Sequence, residues 1–213
     1  MNKKKSSDII EKWLQGWSLS RNLPLPTKYK SGFKVDVGYV NQKMRYVFPE
    51  ANNDFVQLAR SIDEPWIFLK ACTSCAEIKD RIPQRWTIQP QSYMMSCFKS
   101  MNIPSVNLNS EYKLQSDEYN STHIIRISTK GGELASIGRV VLVDDFAIYD
   151  RIKTEDNHKR KGIARFVMKE LEKISLSKGI SNNFLVATEE GKMLYDSLGW
   201  EVYSYYTSVV ISS

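Results

Sequence analysis

The sequence has few of the residues on which several common kinds of site depend. Its 213 residues include three cysteines and two histidines, and an odd number of cysteines argues against a disulfide framework. A structural zinc site needs four ligands, and the Cys72–Cys75 pair lacks the second pair that would complete one. Neither histidine has a G-x-S-x-G partner, which argues against a serine hydrolase. We therefore expect no metal site and reduced cysteines.

Long apolar runs are also missing. A helix needs about 18 or more apolar residues to cross the hydrocarbon core of a membrane, and the sequence contains no such run. Residues 1–7 are basic. They are followed by an amphipathic stretch instead of an apolar one, so they do not resemble a secretory signal. These patterns predict a cytoplasmic protein without a membrane partner.

Most of the positive charge falls in one segment. The formal net charge is +6, and residues 151–180 contain nine Lys or Arg against four Asp or Glu, a net +5. Such a local excess favours one anionic partner over binding along the whole surface. RNA binding is a weaker interpretation, because the segment lacks the interleaved aromatic residues on which bases stack.

The order of the predicted elements indicates a mixed α/β fold, with strands and helices alternating in the second half. Apolar residues at helical spacing predict helices over 6–20, 53–62, 74–82, 162–178 and 189–198. Alternating and β-branched stretches predict strands over 33–40, 44–48, 66–72, 91–98, 112–114, 123–129, 135–143, 146–154, 184–187 and 201–211.

Residues 102–110 are polar and turn-rich, which is typical of a junction. We expect an N-terminal α/β lobe over 1–110 and a second domain over 111–213. Residues 115–121 are predicted to be a polar link between two strands. Alternation along the strand 146–154 predicts that one face carries Phe146, Ile148, Asp150, Ile152 and Thr154.

The segment that follows Thr154 has the composition of an anion-binding site. A polar loop leads to a helix that begins near Gly162. A helix start offers unpaired backbone N–H groups and the positive end of the helix dipole, and glycine lets a backbone approach an anion closely. Lys159, Arg160 and Lys161 add positive charge. Together these features suit a pyrophosphate, although a basic loop by itself is more often a solvated turn.

Two motifs resemble those of the GNAT superfamily of N-acetyltransferases. The family's cofactor motif, Gln/Arg-x-x-Gly-x-Gly/Ala, is similar to Lys159-x-x-Gly162-x-Ala164. A second family signature, Leu-Tyr-x-x-x-Gly-Phe, is similar to residues 194–200, which read LYDSLGW. The motifs occur in the family's order, and the resemblance covers about residues 112–211. Lys159 departs from the pattern, since lysine keeps the charge but lacks the planar fork of arginine.

The resemblance implies a GNAT-type mixed twisted sheet with flanking helices, with the N-terminal lobe packed on it. It implies acetyl-CoA as co-substrate and transfer of the acetyl group to a primary amine by direct attack in a ternary complex. The acceptor, a small molecule or a peptide, is not specified, and a homodimer stays open. The alternative is a non-catalytic module that binds CoA or another nucleotide as a sensor or assembly partner.

The resemblance also assigns roles to residues. The backbone of Ile152 and Thr154, with Lys153 between them, would pair with the pantetheine arm. Tyr195 would donate a proton to the departing thiolate, and a phenol with an ordinary pKa near 10 is a suitable donor for a thiolate. The alternative interpretation is that Tyr195 only packs against the rest of the protein from its helix. The phosphates would be held by the loop and helix start, comprising Lys159, Arg160, Lys161, Gly162, Ile163 and Ala164.

The general base is harder to assign. Many members of the family carry a carboxylate where this chain has Ile148. Asp150 is the best substitute, although pairing of Asp150 with a neighbouring Lys or Arg is at least as good an interpretation. A base that acts through water, or no base, also stays open.

The resemblance also concerns the segment that covers the acceptor pocket, which we call its roof. GNAT domains carry two helices between their first two strands, and the link 115–121 is too short for two helices. We therefore expect residues 1–110 to replace this roof, and a degenerate GNAT-like half is one interpretation of the lobe.

Overall fold

The computed structural model describes residues 6–212. In these residues the α-helices are α1 (Ser7–Leu19), α2 (Asn53–Ser61), α3 (Ile163–Ser177) and α4 (Glu189–Ser197). The strands are β1 (Thr27–Tyr29), β2 (Gly32–Tyr39), β3 (Gln42–Phe48), β4 (Ile67–Ala71), β5 (Thr87–Ile88), β6 (Ser92–Cys97), β7 (Tyr112–Tyr119), β8 (Thr122–Thr129), β9 (Leu134–Val143), β10 (Phe146–Thr154), β11 (Asn182–Thr188) and β12 (Glu201–Val210).

The strands form one 12-stranded mixed sheet, which confirms the mixed α/β prediction. Its order is β1-β2-β3-β4-β12-β6-β11-β10-β9-β8-β7, and β5 pairs with β12 outside this path. The β3–β4 and β10–β11 pairs are parallel. The second parallel pair is connected through α3, as a strand–helix–strand crossover requires.

The two halves of the chain interleave in this sheet. Strand β12, at the C-terminal end, pairs with β4 on one edge and with β6 on the other. Strand β6 also pairs with β11, so it lies among strands of the second half although it precedes residue 110. The division at residue 110 stays a prediction.

Helix α1 packs on one face of the sheet across this junction. Ile10, Leu14 and Trp17 are buried in a core that also contains Val35 of β2 and Ile148 of β10. The helix lies very close to β10, since a Cβ added at Gly16 would stand 2.7 Å from the Cβ of Ile148. Glycine at this helical position therefore permits the close contact, at a cost in helix propensity.

Helix α3 packs on the opposite face of the second half. Val167, Met168 and Leu171 are fully buried against β8–β10. A Cβ at Gly138 of β9 would stand 2.6 Å from Val167 Cγ1, so this strand also carries glycine where a helix approaches closely. Within residues 6–212, none of the helices combines the length and apolar character needed to cross a membrane.

Two element predictions are wrong. Residues 74–82 form a short 3-10 helix, Cys75–Glu77, and turns instead of a longer helix. The predicted link 115–121 belongs largely to β7, an edge strand whose middle residues are exposed on both faces. Polar residues suit such an edge, so the segment lacks the alternation by which buried strands are recognised.

Candidate functional site

Strands β10 and β11 separate in the middle of the sheet. They pair only as far as Tyr149 and Leu185. Beyond these residues β11 stays paired with β6 as far as Thr188, and β10 stays paired with β9 as far as Thr154. One edge of each strand is therefore left without a strand partner, and a cleft opens between them.

A β-bulge at Arg151 accompanies this separation. The register with β9 shifts between Asp150 and Lys153, and Arg151 has a φ of +52°. The extra residue reverses the alternation, so Ile152 packs in the core under α3 while Asp150 lies on the α1 face. The prediction that Asp150, Ile152 and Thr154 share one face is therefore wrong, because a regular alternation ends at the bulge.

The free edge of β10 presents backbone donors to the cleft. The N–H of Glu155 donates to the carbonyl of Ala135 at 2.9 Å, and the carbonyl of Lys153 accepts from Ser136 Oγ at 2.8 Å. Both groups therefore point toward β9. Since successive residues of a strand direct their backbone groups to opposite edges, the N–H groups of Ile152 and Thr154 point into the cleft.

The cleft leads to the start of α3. Gly162 is the N-cap residue, with a φ of +77° and no side-chain capping bond. The first N–H groups of the 15-residue helix, from Ile163 onward, have no partner within the helix, and they stand at the positive end of its dipole. A pocket of about 290 Å³ is lined by Thr154, His158, Lys159, Arg160, Gly162, Ile163, Ala164, Arg165 and Leu194.

The cations around this pocket differ in their pairing. Lys159 Nζ lies 2.9 Å from both Asp156 and Glu190, and these carboxylates raise the pKa of Lys159. Lys161 instead donates to Tyr112 Oη at 3.3 Å. No ion pair engages the exposed Arg160 and Arg165 within residues 6–212. These two arginines are therefore the pocket's uncommitted positive charges.

Tyr195 lies on α4 and is buried in the core that α3 covers. Its side chain is 7% exposed, and its ring centroid is 5.8 Å from that of Trp200. Burial raises the pKa of Tyr195 above its ordinary value, and the charge of Asp150 adds to this rise. The phenol therefore stays protonated at neutral pH, and within residues 6–212 its hydroxyl makes no hydrogen bond. It is available as a proton donor.

Asp150 lies on the other face of the cleft and is fully engaged. One carboxylate oxygen accepts from Arg21 Nη2 at 2.9 Å, and the other accepts from Ser20 Oγ. The side chain is 13% exposed. The interpretation of Asp150 as the partner of a neighbouring arginine therefore describes the observed geometry.

The fold of the whole chain resembles known structures. A GCN5-related N-acetyltransferase from Kribbella flavida is similar over 97% of this chain and 96% of its own, with a TM-score of 0.64 and 11% identity. The chain has the GNAT fold. A GCN5-related N-acetyltransferase from Sphaerobacter thermophilus gives a TM-score of 0.59 at 8% identity, covering 86% of this chain and 78% of its own. A GNAT-family acetyltransferase from Colwellia psychrerythraea gives 0.51 at 12% identity, covering 100% and 98%.

No protein-family model matches the sequence, and no curated protein matches it. The likeness is therefore one of architecture, and it extends beyond the second half, because the Kribbella flavida structure is matched along nearly the whole chain. The expectation of a GNAT-type sheet is confirmed. The roles of individual residues stay predictions.

The GNAT fold brings most of the sequence-predicted cofactor residues together. Thr154 and the run from Lys159 to Ala164 border one pocket, except for Lys161, which turns away toward Tyr112. Ile152 lies along the cleft edge, whereas the side chain of exposed Lys153 pairs with Glu155 at 2.9 Å. Lys153 can therefore contribute through its position between Ile152 and Thr154 more than through its charge.

Several residues of the site were not predicted from sequence. Leu194 lines the pocket from α4, and its place beside Tyr195 in the LYDSLGW motif was a usable signal. His158 is buried, with Nδ1 3.0 Å from Tyr112 Oη; nothing in its sequence neighbourhood indicates this contact. Arg21, the partner of Asp150, is 129 residues away in the chain, so no local pattern could reveal it.

Proposed function

We propose that the chain transfers an acyl group, with acetyl as the first expectation, from acyl-CoA to an amine. The observation that carries this proposal is the continuity of the free β10 edge with the uncapped start of α3. The edge offers N–H groups over Ile152–Thr154, and the helix start offers further N–H groups beside Arg160. Such a row suits a ligand with an amide-containing arm and a pyrophosphate.

The residues present fit this ligand. A pyrophosphate suits the start of α3, because Gly162 leaves the N–H groups of Ile163 and Ala164 uncovered. Arg160 and Arg165 add positive charge that no carboxylate within residues 6–212 neutralises. The N–H groups of Ile152 and Thr154 would pair with the amides of the pantetheine arm, in the manner of an added strand.

The chain's own residues supply the remaining chemistry. Acetyl-CoA, when bound, supplies a thioester whose carbonyl carbon forms the new bond to nitrogen as its bond to sulfur breaks. Tyr195 holds a proton at Oη that would pass to the departing sulfur. A backbone N–H near Ile152 would donate to the carbonyl oxygen as charge develops on it.

The base that accepts the proton of the amine is proposed to be Asp150, directly or through water. Because Arg21 and Ser20 occupy both of its oxygens, this role requires the pair to open when the acceptor binds. An acceptor that arrives already deprotonated needs no base. Asp150→Asn distinguishes catalysis with Asp150 as base from catalysis without a base. At a pH where the amine is protonated, this substitution should lower turnover only if Asp150 is the base.

The proposal is tested in two steps. Acetyl-CoA at saturation should raise the melting temperature of the chain, because it binds the folded state. Arg160→Gln/Arg165→Gln should reduce this shift, whereas Arg126→Gln, on the distant β8, should not. Absence of stabilisation in the wild-type chain would contradict acyl-CoA binding.

Release of CoA thiol with a panel of amines is the second step. Thiol release that depends on the amine would support transfer. Binding without release for every amine would instead favour the non-catalytic CoA-binding module.

A further inference from the structure

A group of cations lies on the α1 face of the sheet, outside the pocket at α3. We call it the basic cluster, and it comprises Arg21, Arg45, Lys70 and Arg139. It draws on the loop after α1, on β3 and β4 of the first half, and on β9 of the second. The interleaved sheet is therefore what assembles these residues.

Aromatic residues of α1 and β12 hold the cluster together. The guanidinium carbon of Arg45 is 3.6 Å from the centroid of the Trp17 ring, and that of Arg21 is 4.8 Å from the same ring. Lys70 Nζ is 5.5 Å from the ring centroid of Tyr206, which packs edge-on against Trp13. Trp17 thus lies against two of the cations, and Trp13 lies against the tyrosine beside the third.

The cluster contains more positive than negative charge. Arg21 is paired with Asp150. No ion pair joins Arg45, Lys70 or Arg139 to a carboxylate within the part of the chain that the structure describes. Their hydrogen-bond partners are neutral: Lys70 donates to Ser208 Oγ at 2.8 Å, Arg139 donates to the carbonyl of Ser20, and the Gln42 amide can accept from Arg45.

This imbalance is unusual because two of the cations are buried. Arg45 and Lys70 are each 9% exposed. Burial lowers the pKa of Arg45 to about 10, and burial together with the charges of Arg45 and Arg21 lowers the pKa of Lys70 well below its ordinary value. Buried charges are normally paired, so Arg45 and Lys70 lack, among the described residues, the directly bonded carboxylate that such groups usually have.

Several polar atoms beside the cluster have no partner. Tyr206 is 3% exposed, and its hydroxyl makes no hydrogen bond. The Nε atoms of Arg21 and Arg139 are also buried without an acceptor. Unsatisfied buried donors are rare in proteins and call for an explanation. An oxyanion within reach of such donors would accept hydrogen bonds from them and offset the excess positive charge.

The cluster adjoins the proposed reaction site. Asp150, which pairs with Arg21, is close enough to raise the pKa of Tyr195, and it stands where β10 leaves β11. Exposure decreases from Arg151 at the surface, through Arg21 at 23% of its side chain, to the buried Arg45. The cluster therefore reaches from the surface near Arg151 to buried residues, on the face of the sheet opposite to α3.

We propose that the basic cluster is the acceptor subsite, and that the acceptor is an amine that also carries an oxyanion, a carboxylate or a phosphate. This inference rests on the proposed acyl transfer and names the class of its acceptor. Arginine binds both oxyanions through a planar fork. Arg21 and Arg45 lie over one indole ring, and an oxyanion would compete with Asp150 for Arg21 and with the Gln42 amide for Arg45.

Matched pairs of amines test the inference, with the full chain, acetyl-CoA and thiol release as the readout. Amino acids are compared with their carboxamides, and phosphoethanolamine with ethanolamine. The oxyanion member of at least one pair should have the higher kcat/KM, by about 10-fold or more. The amine of a carboxamide is less basic than that of the amino acid, so a larger fraction of it is unprotonated and ready to react. Amine reactivity alone would therefore favour the carboxamide and cannot explain a preference for the amino acid. The preferred pair distinguishes carboxylate from phosphate.

Variants assign the preference to the cluster. Arg45→Met removes the guanidinium while keeping an unbranched apolar stem beside Trp17. It should reduce the ratio between oxyanion and neutral acceptors about 10- to 100-fold, whereas Arg45→Lys should retain part of it. Arg21→Gln, at the partly exposed rim, provides a second test if Arg45→Met does not fold. Arg126→Gln should leave the ratio unchanged.

A direct binding measurement separates failure of this inference from failure of acyl transfer. The same pairs are added to the chain without acetyl-CoA, and the melting temperature is recorded. Stabilisation by an oxyanion member over its neutral partner, lost in Arg45→Met, would support the subsite even if no thiol were released. Equal effects of the two members of every pair in both assays would overturn the proposed acceptor subsite. Turnover of neutral amines alone would also overturn the subsite, but it would support acyl transfer.

Discussion

Replacement of Gly162 by alanine tests whether the start of α3 is built to bind an anion. Gly162 has a φ of +77°, and an added Cβ would lie 3.7 Å from Val106 Cγ2, an ordinary contact. The cost therefore comes from the backbone and not from crowding. The left-handed conformation costs a non-glycine residue about 1–2 kcal/mol, so the melting temperature should fall by about 2–8 °C.

The effect on ligand binding follows from the same strain. If the free variant relaxes at position 162, the N–H groups of Ile163 and Ala164 move, and binding must restore the strained conformation. Folding and binding share the cost of about 1–2 kcal/mol, so the Kd for acetyl-CoA rises by up to about 5- to 30-fold, and it rises most when the melting temperature falls least. Isothermal titration calorimetry measures this change.

Gly179 provides a matched control at the other end of α3. It has a φ of +73°, and nothing lies within 4 Å of an added Cβ. Gly179→Ala should therefore lose similar stability while the Kd for acetyl-CoA stays unchanged. Unchanged affinity in Gly162→Ala without the full fall in melting temperature, or equal weakening of binding in both variants, would refute the role given to the start of α3.

Three further predictions concern other parts of the molecule. Tyr195→Phe should lower kcat, measured by thiol release, about 100-fold or more, because the proton donor is lost. The affinity for acetyl-CoA, measured by calorimetry, should stay unchanged. Unchanged turnover would exclude Tyr195 as the proton donor. Gly16→Ala should lower the free energy of unfolding, measured by urea denaturation, by about 1–3 kcal/mol, because the added Cβ would stand 2.7 Å from Ile148 Cβ. Gly131→Ala should change it little. Equal losses in the two variants would contradict the close packing of α1. Burial raises the pKa values of Tyr149, Tyr195 and Tyr206, so these hydroxyls lose their protons at a higher pH in the folded state than in the unfolded state. The free energy of unfolding should therefore fall as the pH rises above about 10. Tyr206→Phe should make this fall less steep, and an unchanged pH dependence would count against the burial of that hydroxyl.

The sequence predicted those parts of the fold that local patterns encode. Strand β10 and helices α3 and α4 were predicted within one residue at each end, because each has a regular apolar period and a glycine or polar boundary. The position of β6 between β11 and β12 could not be predicted, since strand order depends on contacts between residues far apart in the chain.

The same distinction applies to the candidate site. The loop Lys159–Ala164 lies where its composition indicated, beside the start of α3. The bulge at Arg151 was not foreseen, because arginine in the left-handed region carries no sequence signal comparable to glycine. Its consequence is large, since it places Asp150 and Ile152 on opposite faces. The basic cluster was also missed, because its members come from four separate segments.

Hydrogen exchange with and without acetyl-CoA measures the central claim most directly. The account predicts slower exchange of the backbone amides of Ile152, Thr154, Ile163 and Ala164, which point into the cleft or lie at the start of α3. Exchange in α2, which packs with β4 and β12 in a separate core, should not change. Protection confined to other segments, or none at saturating acetyl-CoA, would contradict the proposed site.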